Sequence, residues 1–304
     1  MAQSAGAGST AIPVSVERML PRQKPFGQRM LTLARRKPLG AFGGAVCAAL
    51  LLIAIFAPIV APFDPLETNS AERLKGPTSM HWSGTDQFGR DIYSRLVWGA
   101  RTSLYVGIAV TVVSTIPAII MGLMGAFYGG WVDYALGRVV DVIQAIPQLV
   151  LLIAIMVVLG PSMFNVIMAL SFRRAITERR VLRGATLSLS NQTYVEAARC
   201  LGATNWWIMM RYLLPNIMPT VIVLSSIGFG GVILAEASLS FLGFGIPPPW
   251  PSWGGMLAAD GRAYMFAAPW MLFGPAIALS VVVYGVNMFG DSLRDVLDPR
   301  LRGT

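Results

Sequence analysis

Apolar positions in this chain come in long blocks, with little of the polar striping that marks a helix lying on a soluble core. Stretches free of Asp, Glu, Lys and Arg cover 38–63, 102–132 and 142–172, and further apolar blocks lie near 217–242 and 269–290. A block of about 20 apolar residues is long enough to cross a bilayer as a helix. The 142–172 block is too long for one helix and divides at Gly160-Pro161-Ser162, where glycine and proline end regular structure. The pattern predicts an all-α membrane protein with six transmembrane helices, at about 39–61, 104–126, 139–159, 164–187, 217–242 and 269–290. Ahead of them, 1–38 reads as a polar N-terminal segment, and 39–304 as the transmembrane domain. The first block is longer than a signal-peptide core and shows no cleavage pattern, so it is expected to remain as an anchor.

The fourth predicted span differs from the rest. Its apolar part, 164–172, runs into Arg173, Arg174, Glu178, Arg179, Arg180 and Arg183. A charge at mid-bilayer costs at least about 2.5–3.5 kcal/mol on insertion scales. Either this helix packs inside a bundle with its charges toward water, or it leaves the membrane early.

Composition agrees with the pattern. Of 304 residues, 55% are hydrophobic and 13% charged, with a mean hydropathy of +0.61. Soluble domains carry about 25% charged residues, so a soluble enzyme is excluded. The formal charge of +9, from 24 Lys and Arg against 15 Asp and Glu, raises nucleic acid as a partner until the basic residues are located. Eighteen of the 24 fall in 1–40, 173–216, Arg138 and the C-terminal end; the alternate loops 62–101 and 243–268 hold six. Basic residues collect on the cytoplasmic side of membrane proteins. The charge therefore reports orientation, with both termini cytoplasmic in a bacterial inner membrane, and not a nucleic-acid partner. Cys47 and Cys200 suggest no disulfide framework.

Three polar stretches are too long to be simple turns. The external loops, 62–101 with HWSGTDQFGRDIYSRLVWGARTSL and 243–268 with GIPPPWPSWGGML, are expected to meet partners outside the membrane. The cytoplasmic loop 190–216 is the most informative. Thr193 and Glu196 have capping-box spacing, Gly202 suits a left-handed helix end, and Thr204 or Asn205 can cap a second short helix over 206–212, with Pro215 opening the next element. That second helix carries Trp206, Trp207, Ile208, Met209 and Met210. Adjacent tryptophans on such a loop fit docking to a partner protein, with Met adapting to an irregular groove. They also fit a helix lying among lipid headgroups.

The search for chemistry ends quickly. The three lysines, Lys24, Lys37 and Lys75, neither follow glycine nor precede Ser or Thr, so no phosphate-binding loop is present. The single histidine, His81, stands in the external loop near Asp86 and Asp91; one histidine makes a poor metal site, and a local structural role is the simpler reading. Glu236, within the fifth span, is either pathway lining or a hydrogen-bonding partner between helices. Arg138 and Asp141 read as a surface pair. Pro117, Pro147 and Pro219 would each remove a backbone hydrogen bond and bend a helix.

Several motifs carry a family resemblance. Glu196-Ala197-Ala198, three residues, Gly202, then Leu214-Pro215 resembles the EAA loop of ATP-binding-cassette (ABC) importer permeases; Tyr212 stands where isoleucine is common. Further blocks resemble the C-type permease of dipeptide, oligopeptide and nickel importers. These are His81, Gly84-Thr85-Asp86, Gly89-Arg90-Asp91 and Ser94-Arg95; the run from Glu236 to Gly243; Pro251-Ser252-Trp253-Gly254; and the run from Gly290 to Pro299. Together they span about 35–302. The fourth span departs from that family, with Ala175, Glu178 and Arg179 where Trp, Tyr and Ala-Arg chemistry is usual, while Arg180 and Arg183 match.

The resemblance implies a type I ABC importer-like transmembrane domain working by alternating access. Its partners would be a second, different permease subunit, two ATPase domains and an extracytoplasmic substrate-binding protein. Glu196, Ala197, Ala198, Gly202, Trp206, Trp207, Met210, Leu214 and Pro215 would form the ATPase-docking loop. Arg180, Arg183 and Glu236 are the candidate pathway residues, and Asp86, Arg90, Asp91, Arg95 and Trp253 the candidate external contacts. No metal or cofactor is expected in this chain; ATP and Mg would bind the partner ATPase. Dipeptides or oligopeptides are the first expectation for substrate, beside nickel, glutathione and other small solutes. The competing reading is a secondary transporter driven by an ion gradient, against which stand the lack of an inverted repeat and the few buried carboxylates.

Overall fold

The computed structural model describes residues 37–297; the basic N-terminal segment up to Arg36, and Asp298, Pro299, Arg300 and Arg302, lie outside the described residues. Every regular element among the described residues is helical, and the one strand-like feature is a bridge between Thr85 and Asp91. The main helices are α1 (Pro38–Ile55), α2 (Ile92–Tyr128), α3 (Gly130–Ala145), α4 (Gln148–Leu159), α5 (Met163–Ser190), α6 (Thr193–Cys200), α7 (Leu214–Phe241) and α8 (Trp270–Leu297). Four stretches are long and apolar enough to cross a membrane, over 38–55, 92–128, 205–241 and 270–296, and α3 with α4 forms a fifth that is bent by 93°.

The bend lies at Pro147, one of the three prolines expected to bend a helix, inside the span expected over 139–159. Pro147 has no N–H to donate and disfavours helical geometry in the residue before it. Ile146 is accordingly extended, with φ −86° and ψ 128°, and the helix restarts at Gln148. Pro117 and Pro219, by contrast, stay inside continuous helices. The break at 160–162 forms as read from sequence: Gly160 has φ +81°, and the Ser162 hydroxyl accepts the Asn165 N–H at 3.1 Å to start α5.

Helix α2 begins well before the expected 104. Asp91 caps it, accepting the Ser94 N–H at 2.7 Å, so the last part of the expected external loop is helical. The charged α5 runs unbroken for 28 residues and forms its most extensive contact with α2. It is not among the stretches long and apolar enough to cross a membrane, and it packs along the bundle through that contact. Small residues bring α1 against α8: a Cβ on Gly43 would stand 2.4 Å from the Gly285 carbonyl oxygen, and one on Gly285 would meet Val46 at 2.5 Å. Such close backbone approach is how helices gain packing in lipid, where burial away from water gives no advantage.

Buried side chains form clusters at successive heights. Val195, Ala198, Ile208 and Leu213 join Leu123 and Leu182 at one end. Val106, Val110, Leu152, Val166 and Leu239 fill another cluster between α2, α4, α5 and α7. Ile92, Ala268 and Met271 close the opposite end. The bundle thus has a hairpin end, built around 190–216, and a cap end, built from 61–91 and 242–269.

Candidate functional site

The hairpin end presents a surface that its own fold does not cover. Helix α6 is followed by Gly202 at φ +80°, a left-handed turn open to glycine at no steric cost. Thr204 then caps the next turn by accepting the Trp207 N–H at 3.3 Å. Inward-facing Val195, Ala198, Ile208, Met209 and Leu213 bury themselves against α2 and α5 and fix the hairpin to the bundle. Outward, Leu201 is 88% exposed, Trp206 66% and Trp207 55%. Glu196, Ala197, Gly202 and Pro215 are exposed with them, Met210 and Leu214 are half-buried, and Ala198 is buried. Leu201 was not singled out from sequence, although an apolar residue beside the turn glycine is the available signal.

Two details of the hairpin differ from expectation. Thr193 does not form a capping box: it is already the first helical residue, and Gln192 precedes the helix in extended conformation. Only Asn191 and Gln192 separate α5 from α6, and the Gln192 carbonyl accepts from the Val195 and Glu196 N–H groups, at 2.9 and 3.3 Å. The second helix also does not stop before Pro215. Asn205–Ile208 continues through a π-turn, Met209–Leu213, directly into α7. The wider turn absorbs the hydrogen bond that Pro215 cannot donate.

Between α5 and α7 lies a groove of about 280 Å³, with Gln148 at its α4 side. Its polar residues on α5 are Arg173, Arg174, Thr177 and Glu178, none of which the sequence reading assigned to the pathway. Arg174 donates from Nε to Glu178 Oε1 at 2.8 Å and from Nη2 to the Leu224 carbonyl at 3.3 Å. Gly228 makes room for it, since a Cβ there would stand 2.6 Å from Nη2. The residues expected to line a pathway are elsewhere. Arg180 pairs with Asp141 at 2.9 Å, and Arg183 with Asp133, which also takes Arg179 at 2.9 Å. These pairs tie α5 to α3. Arg138 does not pair with Asp141 but stacks over the Tyr134 ring. Glu236 is 1% exposed, lies outside the groove and accepts the hydroxyl of Ser240 on its own helix at 2.7 Å.

The cap end is bonded inward. His81 places Nδ1 2.9 Å from Asp91 and Nε2 2.7 Å from Glu72. Both ring nitrogens face carboxylates, the arrangement suited to imidazolium, which donates from both. Burial alone would lower the His81 pKa, but the hydrogen bonds and charges of Asp91 and Glu72 outweigh it and raise the value. The His81 hydrogen bond correspondingly holds Glu72 below the usual carboxylate range. Arg90 donates to Asp86 at 2.6 Å, Arg95 to the Pro65 carbonyl at 2.8 Å, and Trp253 to the Leu96 carbonyl at 3.0 Å. Asp86, Asp91, Arg95 and Trp253 are buried, and the Arg90 side chain is 12% exposed. These five side chains are bonded within the cap. The exposed large apolar residues there are Met80, Trp82, Phe88, Leu242, Trp250, Met265 and Phe266.

Comparison with known proteins bears on what this arrangement serves. Residues 98–303 match the family described as the inner membrane component of binding-protein-dependent transport systems, and residues 26–77 match the N-terminal transmembrane domain of oligopeptide transport permease C. The dipeptide transport system permease protein DppC of Alkalihalophilus pseudofirmus is 40% identical over 278 residues, 91% of each chain. The oligopeptide transport system permease protein OppC of Bacillus subtilis is 38% identical over 88% of each chain. The glutathione transport system permease protein GsiD of Pectobacterium atrosepticum is 38% identical over 92% of this chain and 91% of its own. In fold, the chain resembles the inward-facing methionine ABC transporter MetNI, with a TM-score of 0.54 and 20% identity over 68% of this chain and 98% of that one. With apolar membrane-length helices, an all-helical bundle and a match over two thirds of its length, the chain belongs to the family of inner-membrane permease components of binding-protein-dependent ABC importers.

Proposed function

We propose that this permease forms half of the translocation pathway for peptides or similar small solutes. A second, different permease subunit supplies the other half, two ATPase domains dock on the hairpin end, and an extracytoplasmic binding protein delivers substrate to the cap end. Both termini then lie in the cytoplasm, where the basic residues concentrate. ATP and Mg belong to the ATPase domains, and this chain needs no cofactor of its own.

The observation that carries this reading is the hairpin at 193–215, anchored on its inner face while Leu201, Trp206 and Trp207 stand exposed. An exposed apolar cluster of this kind marks an interaction site, and Trp is enriched among residues that dominate binding energy. Switching a pathway from 1:99 to 99:1 takes roughly 5.5 kcal/mol of differential binding, so the contact that carries the bias must be rigidly mounted. The buried inner face provides that mounting. Glu236, Arg180 and Arg183 act in helix packing, and the groove beside Arg173 and Arg174 becomes the pathway wall.

Purification in mild detergent from the native host, with identification of co-purifying chains and an ATPase assay, tests the assignment. Recovery of two ATPase domains, a second permease and a binding protein supports it. A chain that purifies alone and drives uptake from an ion gradient in vesicles would replace it with the secondary-transporter reading.

A further inference from the structure

The groove between α5 and α7 contains one positive charge more than the chain neutralises. Arg174 and Glu178 form an ion pair at 2.8 Å that also binds α7 through the Leu224 carbonyl. Arg173 has no such partner: among the described residues no carboxylate lies within ion-pair distance of it. Its Nη1 donates to the Thr177 hydroxyl one turn along the same helix, while its Nε is buried without an acceptor. A guanidinium packed among apolar side chains is stable only where water or a counter-charge reaches it, and a buried donor without an acceptor is unfavourable. Arg173 itself lines the groove, and a guanidinium is matched by the two oxygens of a carboxylate. Leu170, Leu224, Ile227 and Val232 supply an apolar wall beside it.

We propose that this groove is an anion subsite in which Arg173 receives the carboxylate of a small solute, with the solute's apolar body against α7. The proposal rests on the importer reading and names the chemistry of what passes. Arg174 and Glu178 are positioning residues that hold α5 to α7 and keep the groove open. Gln148, whose side-chain amide carries N–H donors, also lines the groove. The charge balance selects for a ligand carrying at least one negative group, and a neutral amide of the same shape leaves the Arg173 charge uncompensated.

The test uses the complete importer in proteoliposomes, in a background with Cys47→Ala and Cys200→Ser. Gly231→Cys places a thiol on the groove wall, where a Cβ meets nothing within 4 Å. Its rates with an anionic sulfonatoethyl and a cationic trimethylammonium-ethyl methanethiosulfonate are each divided by the rate with free cysteine. A field of one unsatisfied cation should favour the anionic reagent by about 10-fold. Arg173→Gln should bring the ratio to about 1, while Arg173→Lys and the remote Arg138→Gln keep it. A flat ratio in the starting background, as when a carboxylate of the second permease already occupies Arg173, overturns the proposal; so does a ratio that survives Arg173→Gln. A parallel assay compares ATP-driven uptake of trialanine with that of its C-terminal amide, the acid being favoured until Arg173 is replaced. Uptake of neither peptide with the labelling preference intact removes peptide import and leaves the anion subsite standing. Equal uptake of both with a flat ratio removes the subsite and leaves the importer.

Discussion

The two ends of the bundle are both polar loop regions in sequence, and they treat their side chains in opposite ways. The cap turns its charges inward: Glu72, His81 and Asp91 form one chain of hydrogen bonds, and Asp86 holds Arg90. The hairpin turns only aliphatic side chains and Met209 inward and leaves Leu201, Trp206 and Trp207 outside. A polar loop with its groups satisfied is complete by itself. An apolar one left exposed is complete only against something else. Under the proposed function the hairpin's exposed cluster receives the ATPase, while the cap is held by its internal bonds and keeps its own exposed residues, such as Trp82 and Phe266, for contact.

The comparison is most exposed to Trp206→Ala combined with Trp207→Ala. At about 2 kcal/mol for each hot-spot side chain, ATPase association should weaken on the order of 10²–10³-fold, with ATP-driven uptake lost. Both side chains are more than half exposed, at 66% and 55%, so the thermal midpoint of the isolated permease should hardly move. Titration of the ATPase onto detergent-solubilised permease reads the first effect, and unchanged uptake would sink the docking assignment.

Asp91→Ala makes the reverse case. It removes the α2 cap and leaves buried His81 with one carboxylate partner. Loss of one member of a buried pair costs about 3–5 kcal/mol, so unfolding should shift strongly while ATPase affinity stays near wild type. A variant that lost affinity but kept stability would show that the two ends are not independent.

Thr204→Ala should act on a smaller scale. Removing that cap costs about 1 kcal/mol, enough to loosen the Trp207 turn. Amide protection across 205–208 should fall, and coupling should weaken less than in the tryptophan double variant.

The smallest effect concerns pH at the cap. His81 has a folded pKa raised above 6.5, so its contribution is fully present below that value and is lost as pH rises through the folded pKa. Glu72 has a folded pKa held below 4.5, so its contribution is present above 4.5 and is lost as pH falls through the folded pKa. Protection factors of cap amides should therefore be highest between these values, and His81→Gln should remove the decline on the alkaline side. An alkaline decline that persists in the variant would assign it to another group.

Much of this architecture is readable from local pattern. Gly202 and the Gly160-Pro161-Ser162 break form where single-residue backbone preferences place them. The capping box at Thr193 did not form, because a turn of two residues left no room for it. The position of Pro147 suggested a bend, but not that α3 and α4 would stand at 93°.

Block length and charge bias along the chain by themselves determined that this is a helical membrane protein, and Gly202 with the Thr204 cap placed the turn of the hairpin. Those are properties of neighbouring residues, decided by hydrophobicity and backbone geometry. Which charges meet was decided by tertiary structure alone. Asp133 finds Arg183 across 50 positions, and Trp253 finds the Leu96 carbonyl across 157. Such pairs exist only once helices have packed, because a desolvated charge takes whichever partner the bundle brings within reach. Arg173, by contrast, has no carboxylate within ion-pair distance among the described residues, while Arg174 finds Glu178 one turn along its own helix, as i,i+4 spacing allows.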